Sequence, residues 1–400
     1  MRQLDLFPSP HPLTPPQSEE DVLAWLRLLR SRRVGVSTFF RLLNEHGTAQ
    51  DALEALPEVA RAAGVEGYKI CPLPVVEQEL KSARYAGAEF IAFGSPAYPA
   101  ALAEIPDPPP ALWAIGDVSL LTRPKIALVG ARNASSLGLR MARRLAGELG
   151  EKGQVVISGL ARGIDTAAHQ ATLETGTVAV LASGVDVIYP AENTVLGEEI
   201  GRAGLRLSEA PMGASPQARH FPARNRIVSG LSRAVIVVEA ATRSGSLITA
   251  KTALDQGRDV FAVPGHPFDA RASGCNLLIR DGATLVRGTS DVIEALEAQP
   301  AAQPEIQPAA ETTEPARREA APQAAAETMR IPTQPEYRKP EETAALHDRI
   351  LDRLGPSPLA EDQLIRDLAR PAAEITPELV TLEIEGRIQR QPGGLVNRID

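Results

Sequence analysis

Between about Lys125 and Glu297 the chain repeats one pattern: a short apolar run, a turn containing glycine or serine, then a helix-patterned segment. The runs cover 126–129, 155–157, 178–181, 205–207, 235–238 and 260–263. All but 205–207, which Arg206 interrupts, are apolar at consecutive positions, as a strand buried on both faces of a parallel sheet requires. Helical spacing covers 137–150, 164–174, 194–202, 224–231 and 246–256. Strands alternating with helices predict a doubly wound, mainly parallel α/β domain of Rossmann-like architecture over 125–297.

The chain has 400 residues, enough for about two to four domains. At 44% apolar and 23% charged it matches an ordinary globular composition, which excludes wholesale disorder, collagen and coiled coil. Residues 1–18 read as a loose Pro-rich tail without the apolar stretch of a signal peptide. Over 19–82, Trp25, Leu26, Leu29, Phe39, Leu42, Leu43, Leu53 and Leu56 recur at helical spacing and predict a small helical bundle. Residues 83–124, punctuated by prolines, read as a lead-in to the α/β domain. Eight prolines and eleven alanines in 298–340 predict a linker. Over 341–400, three helical segments and a hairpin turned at Gly393-Gly394 predict a winged helix. No run of eighteen apolar residues exists, and Cys71 and Cys275 are the only cysteines, which fits a reducing, cytoplasmic setting.

Ligands of an open parallel sheet bind at the carboxyl ends of its strands. The turns there hold Gly130 and Arg132, then Ser158, Gly159, Arg162 and Gly163, then Arg243, Ser244, Gly245 and Ser246. Glycine lets the backbone approach an anion, and arginine binds phosphate bidentately. One such turn alone is more often a plain strand-to-helix connection; several with arginine at one sheet edge point to a phosphate-bearing ligand. No acid falls between Glu209 and Glu239, while Arg219, Arg224, Arg226 and Arg233 do, with Phe221 and Asn225 among them. Arginine beside an aromatic ring suits a single nucleic-acid strand; Phe221 alone suits a core equally well. The net charge of −8 excludes a uniformly basic coat and leaves room for a local groove.

Enzyme patterns are missing. The turn at Gly130 lacks the second glycine of the dinucleotide fingerprint, no P-loop string occurs, and the six histidines lack metal-ligand spacing. Asp165 and His169 share a helix face and read as an orienting pair before a catalytic one. No catalytic residue, metal or cofactor is expected.

These strings resemble those of the DprA (Smf) family of DNA-processing proteins. The carriers are Val129-Gly130-Ala131-Arg132, the stretch Ser158-Gly159-Leu160-Ala161-Arg162-Gly163-Ile164-Asp165 continuing to His169, His220-Phe221-Pro222-Ala223-Arg224-Asn225-Arg226-Ile227, Arg243-Ser244-Gly245-Ser246 and Val263-Pro264-Gly265. They run in family order from Val129 to Gly265. The resemblance implies a non-enzymatic protein that binds single-stranded DNA, and duplex more weakly if at all. It implies a protein that shields incoming DNA during natural transformation, helps load RecA and acts as a homodimer. Carried over, Arg132, Arg162, Arg224 and Arg243 would hold phosphates, and Ser158, Gly159, Gly163, Gly245 and Ser246 would offer donors. It also implies a SAM or helix-hairpin-helix-like unit before the Rossmann-like core and a winged helix after it. Two departures stand out: Ala191 follows Tyr189-Pro190, where family members often carry lysine, and Ala218 stands two residues before His220-Phe221-Pro222, where some of them do. The run Leu277-Leu278-Ile279 is either buried under the sheet or an interface; the resemblance favours the dimer interface. Two other functions compete, an enzyme like the LOG-type phosphoribohydrolases and a pure adaptor. The first needs a glutamate that the segment 243–250 lacks.

Overall fold

The structure is a computed structural model that describes residues 14–298, 340–354, 359–368, 387–391 and 395–398, together with Ile375, Glu378, Leu379 and Leu382. The chain divides into two units, Met1–Glu305 and Ile306–Asp400. Most of the expected Pro-rich tail and linker falls outside the described residues.

The first unit opens with α1 (Glu19–Arg30), α2 (Val36–His46), α3 (Ala49–Ala62) and α4 (Leu73–Ala86). Ser18 and Asp21 close a capping box on α1, satisfying donors that the first turn leaves free. Trp25, Leu28, Phe39, Leu42 and Leu53 form the bundle's core. Polar ties join the bundle to the segment around Pro110 and Trp113. Trp25 Nε1 donates to Pro110 O at 3.1 Å. Glu79 accepts two bonds from Arg30 and a third from Trp113 Nε1 at 2.9 Å.

A nine-stranded sheet comes next, in the order β1-β2-β6-β5-β4-β3-β7-β8-β9. Its strands are β1 (Glu89–Ala92), β2 (Ala111–Gly116), β3 (Lys125–Val129), β4 (Val155–Ser158), β5 (Thr177–Val180), β6 (Leu205–Ser208), β7 (Ala234–Val237), β8 (Asp259–Ala262) and β9 (Thr284–Leu285). Strands β3 to β9 pair in parallel; β1 and β2 are antiparallel. The segment 83–124 is therefore more than a lead-in, because β1 and β2 extend the sheet beyond β6. Short proline-bounded runs carry no long helix between them, so the alternation that exposed the later strands is missing there.

Short α5 (Ala100–Ala103) precedes β2, and α6 (Ser136–Glu151), α7 (Ile164–Ala171), α8 (Thr194–Ala203), α9 (His220–Leu231), α10 (Gly245–Asp255), α11 (Ser273–Arg280) and α12 (Thr289–Glu297) alternate with the parallel strands. Alternation within β3 sorts the core: Ala127 and Val129 pack with α9, α10 and α11, while Ile126 and Leu128 pack with α6, α7 and α12. Helix α9 starts four residues earlier than the sequence pattern suggested. Pro222 lies in its first turn, where the missing N–H has no helical partner to lose.

In the second unit, α13 (Pro340–Arg353), β10 (Leu359–Ala360), α14 (Glu361–Leu368), β11 (Ile388–Gln391) and β12 (Leu395–Arg398) surround Ile350, Leu364, Leu379 and Val396. Its sheet runs β10-β12-β11, as a winged helix requires. Glutamates stand at 374, 378, 383 and 385 in the sequence; of these only Glu378 is described, bonded to His347 at 2.7 Å.

Candidate nucleic-acid interface

From β3 the chain winds outward through β4, β5 and β6, then returns to β7 on the other side of β3. That reversal opens a crevice at the carboxyl ends of β3 and β7. A cavity of about 660 Å³ occupies it. Gly130 and Arg132 come from the loop after β3, Arg243 and Ser244 from the loop after β7, and Gly245 and Ser246 from the first turn of α10. Phe221, Arg224 and Asn225 reach it from α9, and Arg271 from the loop after β8. Every cation among the lining residues is arginine.

Close backbone packing builds this edge. A Cβ on Gly130 would sit 2.6 Å from Ile164 Cγ1. Gly163 has φ +81°, and a Cβ there would lie 2.2 Å from Ala131 O, so only glycine lets the loop after β4 rest on the loop after β3. Asp165 accepts from the amides of Gly159 at 3.1 Å and Ala161 at 3.2 Å. His169 Nε2 accepts from Leu160 N at 3.4 Å, which leaves Nδ1 to donate to Thr177 Oγ1 at 2.7 Å. The Thr177 hydroxyl in turn donates a hydrogen bond to Val156 O at 3.2 Å. The chain of bonds holds Leu160 at φ +55°, a conformation most side chains avoid. Asp165 and His169 thus orient the loop.

Electrostatics concentrate on Arg224. Its side chain passes behind Gly159, where a Cβ would come within 1.3 Å of Nη1. Burial draws its pKa down, with Asp165 opposing, and its Nε is buried without a hydrogen-bond partner. Burial pushes the Asp165 carboxyl up, and Arg224 with the two amides pulls it back. Arg132 places its guanidinium carbon 5.2 Å from the centroid of the Phe221 ring, and Phe221 meets Tyr189 edge-on at 5.9 Å. Phe221 is partly exposed in the cavity wall and is no core residue.

Several expected site residues lie elsewhere. Ser158 is buried and donates to Leu128 O at 2.6 Å, so its hydroxyl is already used. Gly159 is covered by Arg224 and serves by making room for it. Arg226 is buried in ion pairs with Asp107, at 3.1 Å, and Glu209. Arg162 is exposed and faces Glu192 at 3.6 Å. Arg219 is exposed at the start of α9. Gly163 lines a neighbouring cavity of about 440 Å³ with Arg132, Arg143 and Gln170. Arg271 was missed, although its loop follows a parallel strand just as the others do. On α11, Leu278 and Ile279 pack on the sheet's core, while Leu277 is half-buried outside that cluster.

A family model described as DNA recombination-mediator protein A matches residues 89–297, more than half of the chain. The chain belongs to the DprA family. A DprA-like N-terminal HHH domain matches residues 19–82 and a DprA winged helix domain residues 334–394. Protein Smf of Synechocystis sp. is 33% identical over 390 residues, covering 92% of this chain and 96% of that protein. DNA processing protein DprA of Streptococcus pneumoniae is 48% identical over 202 residues, 50% of this chain and 71% of the relative. The X-ray structure of DprA from S. pneumoniae aligns with a TM-score of 0.58 at 37% identity, over 68% of this chain and 96% of that one. The DprA family thus accounts for all three folded parts: HHH bundle, Rossmann-like sheet and winged helix. No helix among the described residues is long and apolar enough to cross a membrane.

Proposed function

We propose that this chain binds single-stranded DNA in the cavity between the loops after β3, β7 and β8, and that it does no chemistry on the strand. The observation that carries this reading is the convergence of Arg132, Arg224, Arg243 and Arg271 on one cavity, with Phe221 stacked under Arg132. Arginines neutralise backbone phosphates, and the ring offers a base a face to stack on. Asp165, the carboxylate lining the cavity, is tied to two amides, which argues against a general base. Membership of the DprA family supports the wider role: a cytoplasmic homodimer that shields incoming DNA during natural transformation and hands the strand to RecA. Leu277 on α11 and the edge strand β9, with Leu285 exposed, are the dimer face we favour.

Fluorescence anisotropy with a labelled single strand and the matching duplex tests this at two salt concentrations. Tighter binding of the single strand, weakening steeply as salt rises, is expected. Affinity that stays flat with salt would overturn the phosphate-groove assignment.

A further inference from the structure

We propose that Phe268, on the loop after β8, is a second base-stacking platform that carries a bound single strand out of the cavity past Arg271. This rests on the single-strand reading above. Phe268 is 94% exposed, although burying such a ring normally stabilises a fold. The loop that displays it is held in place. Asn276 clamps Gly265 from both sides, accepting from its N at 3.1 Å and donating to its O at 3.0 Å. Phe268 N donates to His266 Nδ1 at 3.3 Å, and Asp269 N donates to His266 O at 2.9 Å. Asp269 in turn accepts from Arg271 N at 3.0 Å. The His266 ring lies 5.6 Å from Phe268, tilted by 37°.

Position decides the occupant. Strands β3, β7 and β8 are consecutive neighbours, so their carboxyl-end loops stand side by side at about 4.8 Å per strand. Arg132 and Arg243 occupy the first two loops, and Arg271, three residues from Phe268, lines the same cavity from the third. A single exposed ring three residues from a cavity-lining arginine matches the alternation of phosphate and base. It is far smaller than the several hundred Å² of apolar surface that a protein partner covers.

The test compares the full chain with F268A and F268W on a 20-nucleotide oligo(dT) and on the same backbone with abasic sites. Loss of one stacked base should weaken F268A on oligo(dT) about tenfold and leave the abasic strand unaffected. F268W should restore affinity, and its emission should change on adding oligo(dT). The native Trp25 and Trp113 are buried and supply a constant background. Equal losses on both strands, or no loss on either, would overturn the proposal. A change in oligomeric state with unchanged DNA affinity would assign the ring to an interface between copies, and overturn it too. Binding that is lost in R132A but kept in F268A removes this inference alone; a wild type that binds neither strand removes the functional reading with it.

Discussion

Arg224 and Arg226 are two positions apart on α9 and meet opposite environments. At about 100° per residue they point to nearly opposite sides of the helix. Arg224 lines the cavity, whereas Arg226 is enclosed by Asp107 and Glu209. The basic run was legible in the sequence. Its division was not, because the acids that claim Arg226 come from distant segments and the helix begins before both arginines. Arg226→Ala should therefore lower stability by about 3 kcal/mol, measured by urea unfolding, with strand affinity of the folded protein unchanged. Arg132→Ala should do the reverse, weakening single-strand binding by about 1.5–3 kcal/mol in anisotropy while leaving the unfolding midpoint in place. Equal loss of affinity in both variants would mean bulk charge and no pocket. Gly159→Ala should mimic Arg224→Ala, since the new methyl takes the space of the guanidinium. In a double-mutant cycle the two losses should fail to add.

The loop after β4 shows how an element can be read correctly in outline and incompletely in purpose. Its glycines and the spacing of Asp165 and His169 predicted a strand-to-helix turn with an orienting pair. That His169 is fully enclosed depends on Thr177 from β5, which no local pattern announces. Burial, with the charge of Arg224 adding, pushes the His169 pKa down to about 3 from an ordinary 6.5. The folded protein thus binds fewer protons than the unfolded chain between those two values. Its stability should fall as pH drops below about 6.5, by up to about 1.4 kcal/mol per unit from this residue. His169→Gln should flatten that slope in urea titrations at pH 7 and pH 5; an unchanged slope would mean that the ring protonates freely in the fold. Helix α11 carries a parallel lesson. Three consecutive apolar residues looked interchangeable as interface, yet Leu278 and Ile279 pack on the core. Leu277→Asp is consequently the variant expected to yield folded monomers in light scattering. If it remains dimeric, the interface is not on this helix.

At the scale of the whole molecule, the winged-helix unit follows a Pro- and Ala-rich stretch and carries twelve Asp and Glu against seven Arg and Lys over 341–400. Its hydrophobic periodicity was strong enough to be seen in the sequence. The assignment of 83–124 to the sheet was not, because antiparallel strands at the edge of a parallel sheet break the repeat that reveals the rest. An acidic unit is repelled by phosphates, so a chain of residues 1–299 should bind a single strand within tenfold of the full protein, about 1.4 kcal/mol. A larger loss would place the winged helix on DNA. The cavity's reliance on arginine has a different consequence. Lys69, Lys81, Lys125, Lys152, Lys251 and Lys339 are the chain's only lysines, and none lines the cavity. Acetylation strips charge from lysine and leaves guanidinium untouched. A cell that silences its DNA-binding proteins by acetylating them would find this groove out of reach.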